Sequence, residues 1–149
     1  MNFKLIYRST AAPNITDRDI NNILETVRKF NSKNNITGCL LYYKNEFLQV
    51  LEGDEKTVLE LYSHIEKDKR HTDVLLINQE HSKVREFSNW TMAFKELTDL
   101  DIAHINEYLD IPKFNKLVDL SFYSTLTNKL FHYFSQTIVF ETMFKKHLV

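Results

Sequence analysis

The 149-residue sequence predicts an α+β fold: one sheet, two helices on one of its faces, and a helical extension at the C-terminal end. Three observations predict it. Short segments that alternate apolar and polar residues, the two-residue period of a strand, recur through the first two-thirds of the chain. Between them lie two segments whose apolar residues recur at the 3.6-residue spacing of an amphipathic helix. After residue 97 the alternation gives way to a long aromatic segment with helical spacing.

The elements follow in order. In FKLIYRS, Phe3, Leu5 and Tyr7 share one strand face and Lys4, Ile6 and Arg8 the other. AAPNITDRD is a loop, with Pro13 and Asn14 as turn formers. Thr16 is placed to cap a helix whose first turn carries Asp17 and Asp19. Ile20, Ile23, Leu24, Val27 and Phe30 continue that helix, and the turn-rich NSKNN ends it near Asn31. TGCLLYY and EFLQVLE, joined by Lys44 and Asn45, read as a β-hairpin. Gly53 and Asp54 break the chain. Val58, Leu61, Tyr62 and Ile65 then predict a second helix ending near Arg70. TDVLLINQ is a fourth strand and NWTMAFKEL a fifth, with Trp90, Met92 and Phe94 on one face. The order β-α-β-β-α-β-β over residues 3–97 is the ferredoxin-like pattern with an added strand.

The remainder reads as a short helix in LDIAHINEYL, broken by Pro112, and a long one over KLVDLSFYSTLTNKLFHYFSQTIVF with Leu117, Leu120, Leu126, Leu130 and Phe134 in phase. Two domains are expected, 1–97 and a C-terminal helical extension, 98–149. A sheet with helices on one side has a bare second face. The extension covers it, or part of it makes a protein interface with Phe131, Tyr133, Phe134, Phe140 and Phe144 as the contact surface, and the two readings are compatible.

Composition narrows the function classes. With 19 basic and 20 acidic residues the net charge is −1, which gives no electrostatic case for nucleic acid or an anionic membrane. The lone Cys39 excludes an intrachain disulfide and suggests a reducing compartment. The first residues lack the apolar run of a signal peptide, so a cytoplasmic protein is expected. With only Gly38 and Gly53, no Gly-rich phosphate loop can form. RSTAAPN offers Arg8 but no glycine, which argues against an acyl-phosphate hydrolase on this fold, and FLQVLEG lacks the exposed aromatics of an RNA-recognition strand. Residues 98–149 are too few for a cyclase or phosphodiesterase domain. A non-enzymatic protein acting through assembly or partner binding is expected.

Some polar residues stand in apolar settings. Gln49 lies between Phe47 and Leu51 on one strand face, where an unpaired amide costs about 1–3 kcal/mol. If the first strand pairs beside the third, Tyr7 is its neighbour. A phenol donates and accepts and a carboxamide does both through different atoms, so the pair can reverse its hydrogen-bond direction. It is either a satisfied core pair or a switch. Asn31 is either a C-terminal cap or a ligand contact. His64, Asp68 and His71 form a polar stripe beside Leu61 and Ile65, which reads as a solvated face, a His64–Asp68 pair or a weak metal candidate. The groove between the two helices can also hold a planar heteroaromatic ligand, with Ile23 and Leu24 against its faces and amides at its edges. A chromophore-free adaptor is the alternative.

LIYRS, the helix end HIEKDKRH, FNSKNNITGCLLYYKNEFLQVLEG and REFSNWTMAF, in this order, resemble the BLUF domain, the flavin-binding sensor of blue light, over about residues 2–97. The resemblance implies a flavin between the two helices, FAD or else FMN or riboflavin. It implies that Tyr7 is the photoactive tyrosine, giving up an electron and a proton to the excited flavin. Gln49 is the switching glutamine. Asn31 bonds the flavin ring, and His64, Asp68, Arg70 and His71 contact the cofactor. Trp90 and Met92 relay the signal from the last strand to the C-terminal helices, which change assembly, as a homo-oligomer, or the binding of a downstream signalling protein. The sequence departs from some relatives at Val50, where an aromatic residue occurs, and at Phe30, where histidine occurs.

Overall fold

The computed structural model describes residues 2–109, 116, 117, 119 and 124–148, with side chains as far as residue 137. The elements run β1 (Asn2–Ala11), α1 (Asp17–Lys33), β2 (Thr37–Tyr43), β3 (Glu46–Gly53), α2 (Glu55–Glu66), β4 (His71–Ser82), β5 (Ala93–Glu96), α3 (Asp99–Leu109) and α4 (Ser124–Leu148). The sheet order is β4-β1-β3-β2-β5. Its pairs are antiparallel except β2 with β5, which is parallel. This is the α+β, ferredoxin-like arrangement the sequence predicts.

Local chemistry sets the element ends. The Thr16 hydroxyl accepts from the Asp19 amide at 3.1 Å and the Asp19 carboxylate from the Thr16 amide at 3.0 Å, a reciprocal cap that starts α1. Asp54 starts α2 as a one-way cap, its carboxylate accepting from the Thr57 amide at 3.2 Å. Thr98 and Asp101 repeat the reciprocal cap at α3. The β2–β3 hairpin turns through Lys44 (φ 45°) and Asn45 (φ 66°), the left-handed pair of a two-residue turn whose twist suits flanking strands. Asn45 is then tied to β1, donating from Nδ2 to the Ala11 carbonyl at 3.2 Å.

Strand alternation builds two cores. On one face Phe3, Leu5, Tyr7, Leu40, Phe47 and Leu51 lie beneath Ile20 and Leu24 of α1 and Val58 and Leu61 of α2. On the other, Ile6, Cys39, Leu41, Tyr43, Leu48 and Val50 lie beneath Ile102, Ile105, Leu109, Leu117, Leu130, Phe131 and Phe134. The helical extension thus covers the second face. Phe131 and Phe134 are buried in that core, which is the first of the two readings the sequence offered for them. Tyr133 is partly buried, its ring 4.9 Å from that of Tyr108. The side chains of Phe140 and Phe144, and Pro112 and Leu120, lie outside the described residues. No helix among the described residues is long and apolar enough to cross a membrane.

The structure corrects four boundaries. α1 runs two residues past Asn31, and its C-terminal cap is Asn34, whose amide donates to the Phe30 carbonyl. α2 stops at Glu66 rather than near Arg70, because Lys67 and Asp68 turn back onto the His64 and Ile65 carbonyls. β5 begins at Ala93, so Trp90 and Met92 precede it. The helix expected from Lys116 begins at Ser124.

Gly38 marks the closest approach in the sheet. A Cβ there would lie 2.1 Å from the Val50 carbonyl oxygen of the neighbouring strand and 3.3 Å from the Met92 methyl. Backbone cannot yield as a flexible side chain can. Gly38→Ala is therefore expected to lower the unfolding free energy by about 2 kcal/mol or more in a urea titration; stability equal to the parent would contradict this packing.

Candidate functional site

Between α1 and α2, above β1 and β3, lies a cavity of about 250 Å³. Its α1 wall is Ile23, Thr26, Val27 and Phe30, and its α2 wall is Leu61, His64 and Ile65. Tyr7, Leu40, Phe47 and Gln49 form the floor, and Asp68, Arg70 and His71 the rim where α2 turns into β4. The walls are mostly apolar and the polar groups few and convergent, the usual character of a small-molecule site.

The floor is fixed by register. β1 and β3 pair so that Tyr7 stands directly opposite Gln49, and cross-strand partners of an antiparallel pair project side chains to the same face. The Tyr7 hydroxyl donates to Gln49 Oε1. Gln49 Nε2 in turn donates to Met92 Sδ at 3.3 Å. The three groups form a chain with a defined sense: phenol to amide oxygen, amide nitrogen to sulfur. Burial pushes the Tyr7 phenol well above the usual tyrosine range, with Tyr62 and the Asp68 carboxylate adding to the effect. Its ring packs 5.6 Å from that of Tyr62 and edge-on to His71 at 6.3 Å.

Asn31 lies one helical turn beyond Val27, on the same side of α1. It is fully buried. Its Nδ2 donates to the Thr91 carbonyl at 2.7 Å, whereas its Oδ1 is buried without a partner. Buried side-chain oxygens are rarely left so. Asn31 is not itself among the cavity-lining residues, although Val27 and Phe30 near it are; an unpaired buried acceptor there suits a ligand that brings an N–H.

At the rim, Asp68 and Arg70 are locked together, Nη2 to Oδ2 at 2.6 Å and Nε to Oδ1 at 3.0 Å. This guanidinium holds the Asp68 carboxyl below the usual carboxylate range. His71 opens β4. Its Nε2 faces the Ile65 carbonyl oxygen at 2.5 Å and so carries the hydrogen, and its Nδ1 exchanges a hydrogen bond with the Ser9 hydroxyl at 2.8 Å. The His64–Asp68 pairing weighed from sequence is replaced by Asp68–Arg70. The polar stripe is also not a single helix face, since only His64 lies on α2.

Of the residues expected from sequence, the cavity gathers Tyr7, Gln49, Ile23, His64, Asp68, Arg70 and His71. Leu24 is not on its wall. It faces the sheet within the core, and Val27 takes the place expected of it. Trp90 and Met92 do not share a face: Met92 packs in the core of the cavity side, Trp90 against the core beneath the C-terminal helices. Thr26, Val27, Phe30 and Phe47 are lining residues that sequence reasoning did not single out as site residues; for Val27 and Phe30 the α1 periodicity was the available signal. Phe30 lines the cavity, and Val50 lies in the opposite core. Among the described residues no group of three His, Cys, Asp or Glu is placed to hold a metal ion.

Comparison with known proteins bears on the family and the fold. Residues 3–93 match the family model described as BLUF, sensors of blue light using FAD. Photoactivated adenylate cyclase subunit beta of Euglena gracilis is 36% identical over 90 residues, 60% of this chain and 10% of that protein. The chain thus spans about a tenth of the length of that cyclase subunit. Among solved structures, BlsA in its ground state superposes with a TM-score of 0.69 at 28% identity, covering 83% of this chain and 85% of that one. BlrB, a BLUF protein in its dark state, gives 0.66 at 29% identity, covering 85% and 96%.

The burial of Tyr7 yields a direct expectation. Its neutral phenol is favoured in the folded state, so the stability linked to it is intact below the ordinary tyrosine range and is lost as pH rises toward the raised folded value. In an alkaline ultraviolet titration at about pH 11, a unit above an ordinary tyrosine, the folded protein and Tyr7→Phe are expected to show equal phenolate absorbance. A deficit in the variant equal to one phenolate would contradict the burial.

Proposed function

The chain belongs to the BLUF family of sensors of blue light using FAD, and we propose that Tyr7 and Gln49 are its photoactive pair. The observation that carries this reading is the hydrogen bond from the Tyr7 hydroxyl to Gln49 Oε1 on the floor of the cavity. FAD is the flavin proposed for the site, FMN and riboflavin being the other members of the class.

The residues present suit such a group. Asn31 Oδ1 would accept from the ring edge, and Ile23 and Val27 would lie against a ring face. His64, Arg70 and His71 would stand at the mouth. A bound flavin supplies absorption of blue light and an oxidising excited state. Tyr7 is the oxidisable side chain on the floor, and its hydroxyl proton already has an acceptor in Gln49. With a flavin bound, Tyr7 would supply the electron that the excited ring takes up and its hydroxyl proton would pass toward the Gln49 amide; when both have returned to Tyr7, Gln49 would be left rotated or tautomerised. The amide then presents a different hydrogen-bonding end to its surroundings. A change in one such bond is worth about 1 kcal/mol. That biases a balanced two-state element several-fold and is too small to drive a large refolding.

Residues 1–97 form the sensory unit in this reading and 98–149 the output. Met92 touches Gln49, and Trp90, two residues earlier, packs beneath the helices of the extension. The output is a changed assembly of this chain or a changed affinity for a signalling protein, without enzymatic chemistry in these residues. A cytoplasmic location belongs to the same reading and rests on the single, buried Cys39.

Two variants test the pair. Gln49→Leu is expected to retain flavin and to lose the light-induced red shift of its absorption, and Tyr7→Phe to retain flavin and lose most of it. A Gln49→Leu protein that shifts like the parent would refute the assignment. Asn31→Ala is expected to weaken flavin binding about tenfold, as loss of a buried hydrogen bond implies. Unchanged affinity in a fluorescence titration would remove Asn31 from the site.

A further inference from the structure

Just before β5 three successive backbone carbonyls are each taken by a donor from outside the strand ladder. The Gly38 amide of β2 donates to the Trp90 oxygen at 3.2 Å and Asn31 Nδ2 of α1 to the Thr91 oxygen at 2.7 Å. Arg28 of α1 donates twice to the Met92 oxygen, from Nε at 3.1 Å and from Nη2 at 2.9 Å. This is the segment that crosses the sheet edge, sending Trp90 to one core and Met92 to the other. Among the described residues, both hydrogen bonds of Arg28 go to this one oxygen.

We propose that Arg28 is a positioning residue for the photoactive pair: by clamping the Met92 carbonyl it holds the thioether against Gln49 and so sets which way round the amide sits. The proposal rests on the Tyr7–Gln49 reading above. The steps are local. A thioether sulfur carries no proton and can only accept. Opposite it, Gln49 must present the NH₂ end, which leaves Oε1 for the Tyr7 hydroxyl, as observed. With the amide reversed, oxygen would face sulfur with no proton between them, and the Nε2 hydrogens would lose that acceptor. The sulfur selects one orientation only while it stays within reach. Met side chains are flexible, so a backbone anchor is what gives the sulfur a fixed position. A guanidinium fork supplies it with two parallel N–H groups, a geometry lysine cannot reproduce. Arg28 itself is exposed and sits beside Val27 of the cavity wall, so its removal leaves both cores intact.

The experiment compares the parent, Arg28→Met, Arg28→Lys, Met92→Leu and the Arg28→Met/Met92→Leu double variant, with Arg18→Met as a surface control. In unilluminated protein, the Met92 ε-methyl resonance of Arg28→Met is expected to move toward its free-methionine position, and that of Arg18→Met to stay. After blue light, recovery of the dark spectrum is expected to slow about fivefold in Arg28→Met, the scale of one hydrogen bond, less in Arg28→Lys, and similarly in Met92→Leu. In the double variant it is expected to slow no further than in Met92→Leu alone. An unmoved methyl resonance, unchanged or faster recovery in Arg28→Met, or an undiminished effect of that substitution in the Met92→Leu background would each overturn the inference. If the parent itself shows no light-induced shift, the Tyr7–Gln49 reading fails, and the methyl resonance still decides whether Arg28 positions Met92.

Discussion

The hydrogen bond between Tyr7 and Gln49 is possible only because β1 and β3 are antiparallel neighbours in a register that sets these two residues opposite each other. A slip of β3 by one residue would send Gln49 to the other face of the sheet and leave Tyr7 opposite a different residue. Two features oppose a slip. Leu5 and Leu51, paired with each other, fix the apolar alternation on one side of the pair, and Phe47 on the other. The left-handed turn at Lys44 and Asn45 fixes where β3 begins. The buried polar pair is thus a consequence of strand geometry, and the cavity between α1 and α2 is the space those strands leave above it.

The same strand serves both faces. Gln49 points into the cavity, whereas Glu52, three residues on, is buried on the side of the C-terminal helices. Its carboxylate accepts from the Glu86 amide at 2.7 Å, the Phe87 amide at 2.9 Å and the Thr37 hydroxyl at 3.2 Å. Burial raises its pKa, against the lowering effect of these donors. Phe87, held in this way, meets the Phe131 ring of α4 edge-on at 6.3 Å. The 85–92 segment is therefore tied at one end to Glu52 and α4 and at the other to Gly38, Asn31 and Arg28. In the proposed reading, a displacement of Met92 would pass along this short, hydrogen-bonded stretch of backbone.

Much of this was legible in the residues. The amphipathic spacing of α1, the hairpin around Lys44 and Asn45 and the isolated amide in EFLQVLEG identified the sheet and the Tyr7–Gln49 neighbourhood. What was not legible came from geometry that periodicity does not encode. Leu24 and Val27 occupy the same apolar stripe of α1, yet the rotation of the helix turns the first toward the sheet and the second toward the cavity. Spacings of four and three made His64, Asp68 and His71 look like one helix face, although the chain leaves the helix at Glu66. Trp90, Met92 and Phe94 alternate like a strand, but the carbonyls of residues 90–92 are taken by side-chain and backbone donors rather than by a ladder. Arg28 gave no signal, because a long charged side chain at an exposed helical position reads as solvated surface until its partner is known.

The most direct measurement is the light-minus-dark infrared difference spectrum of the flavin-loaded protein with its glutamine side chains isotopically labelled, compared with unlabelled protein. Label-sensitive amide bands are expected to appear on illumination, because the proposed switch is a change in the hydrogen bonds of Gln49 to Tyr7 and its other neighbours. A visible spectrum that shifts under blue light while every glutamine band stays silent would contradict it.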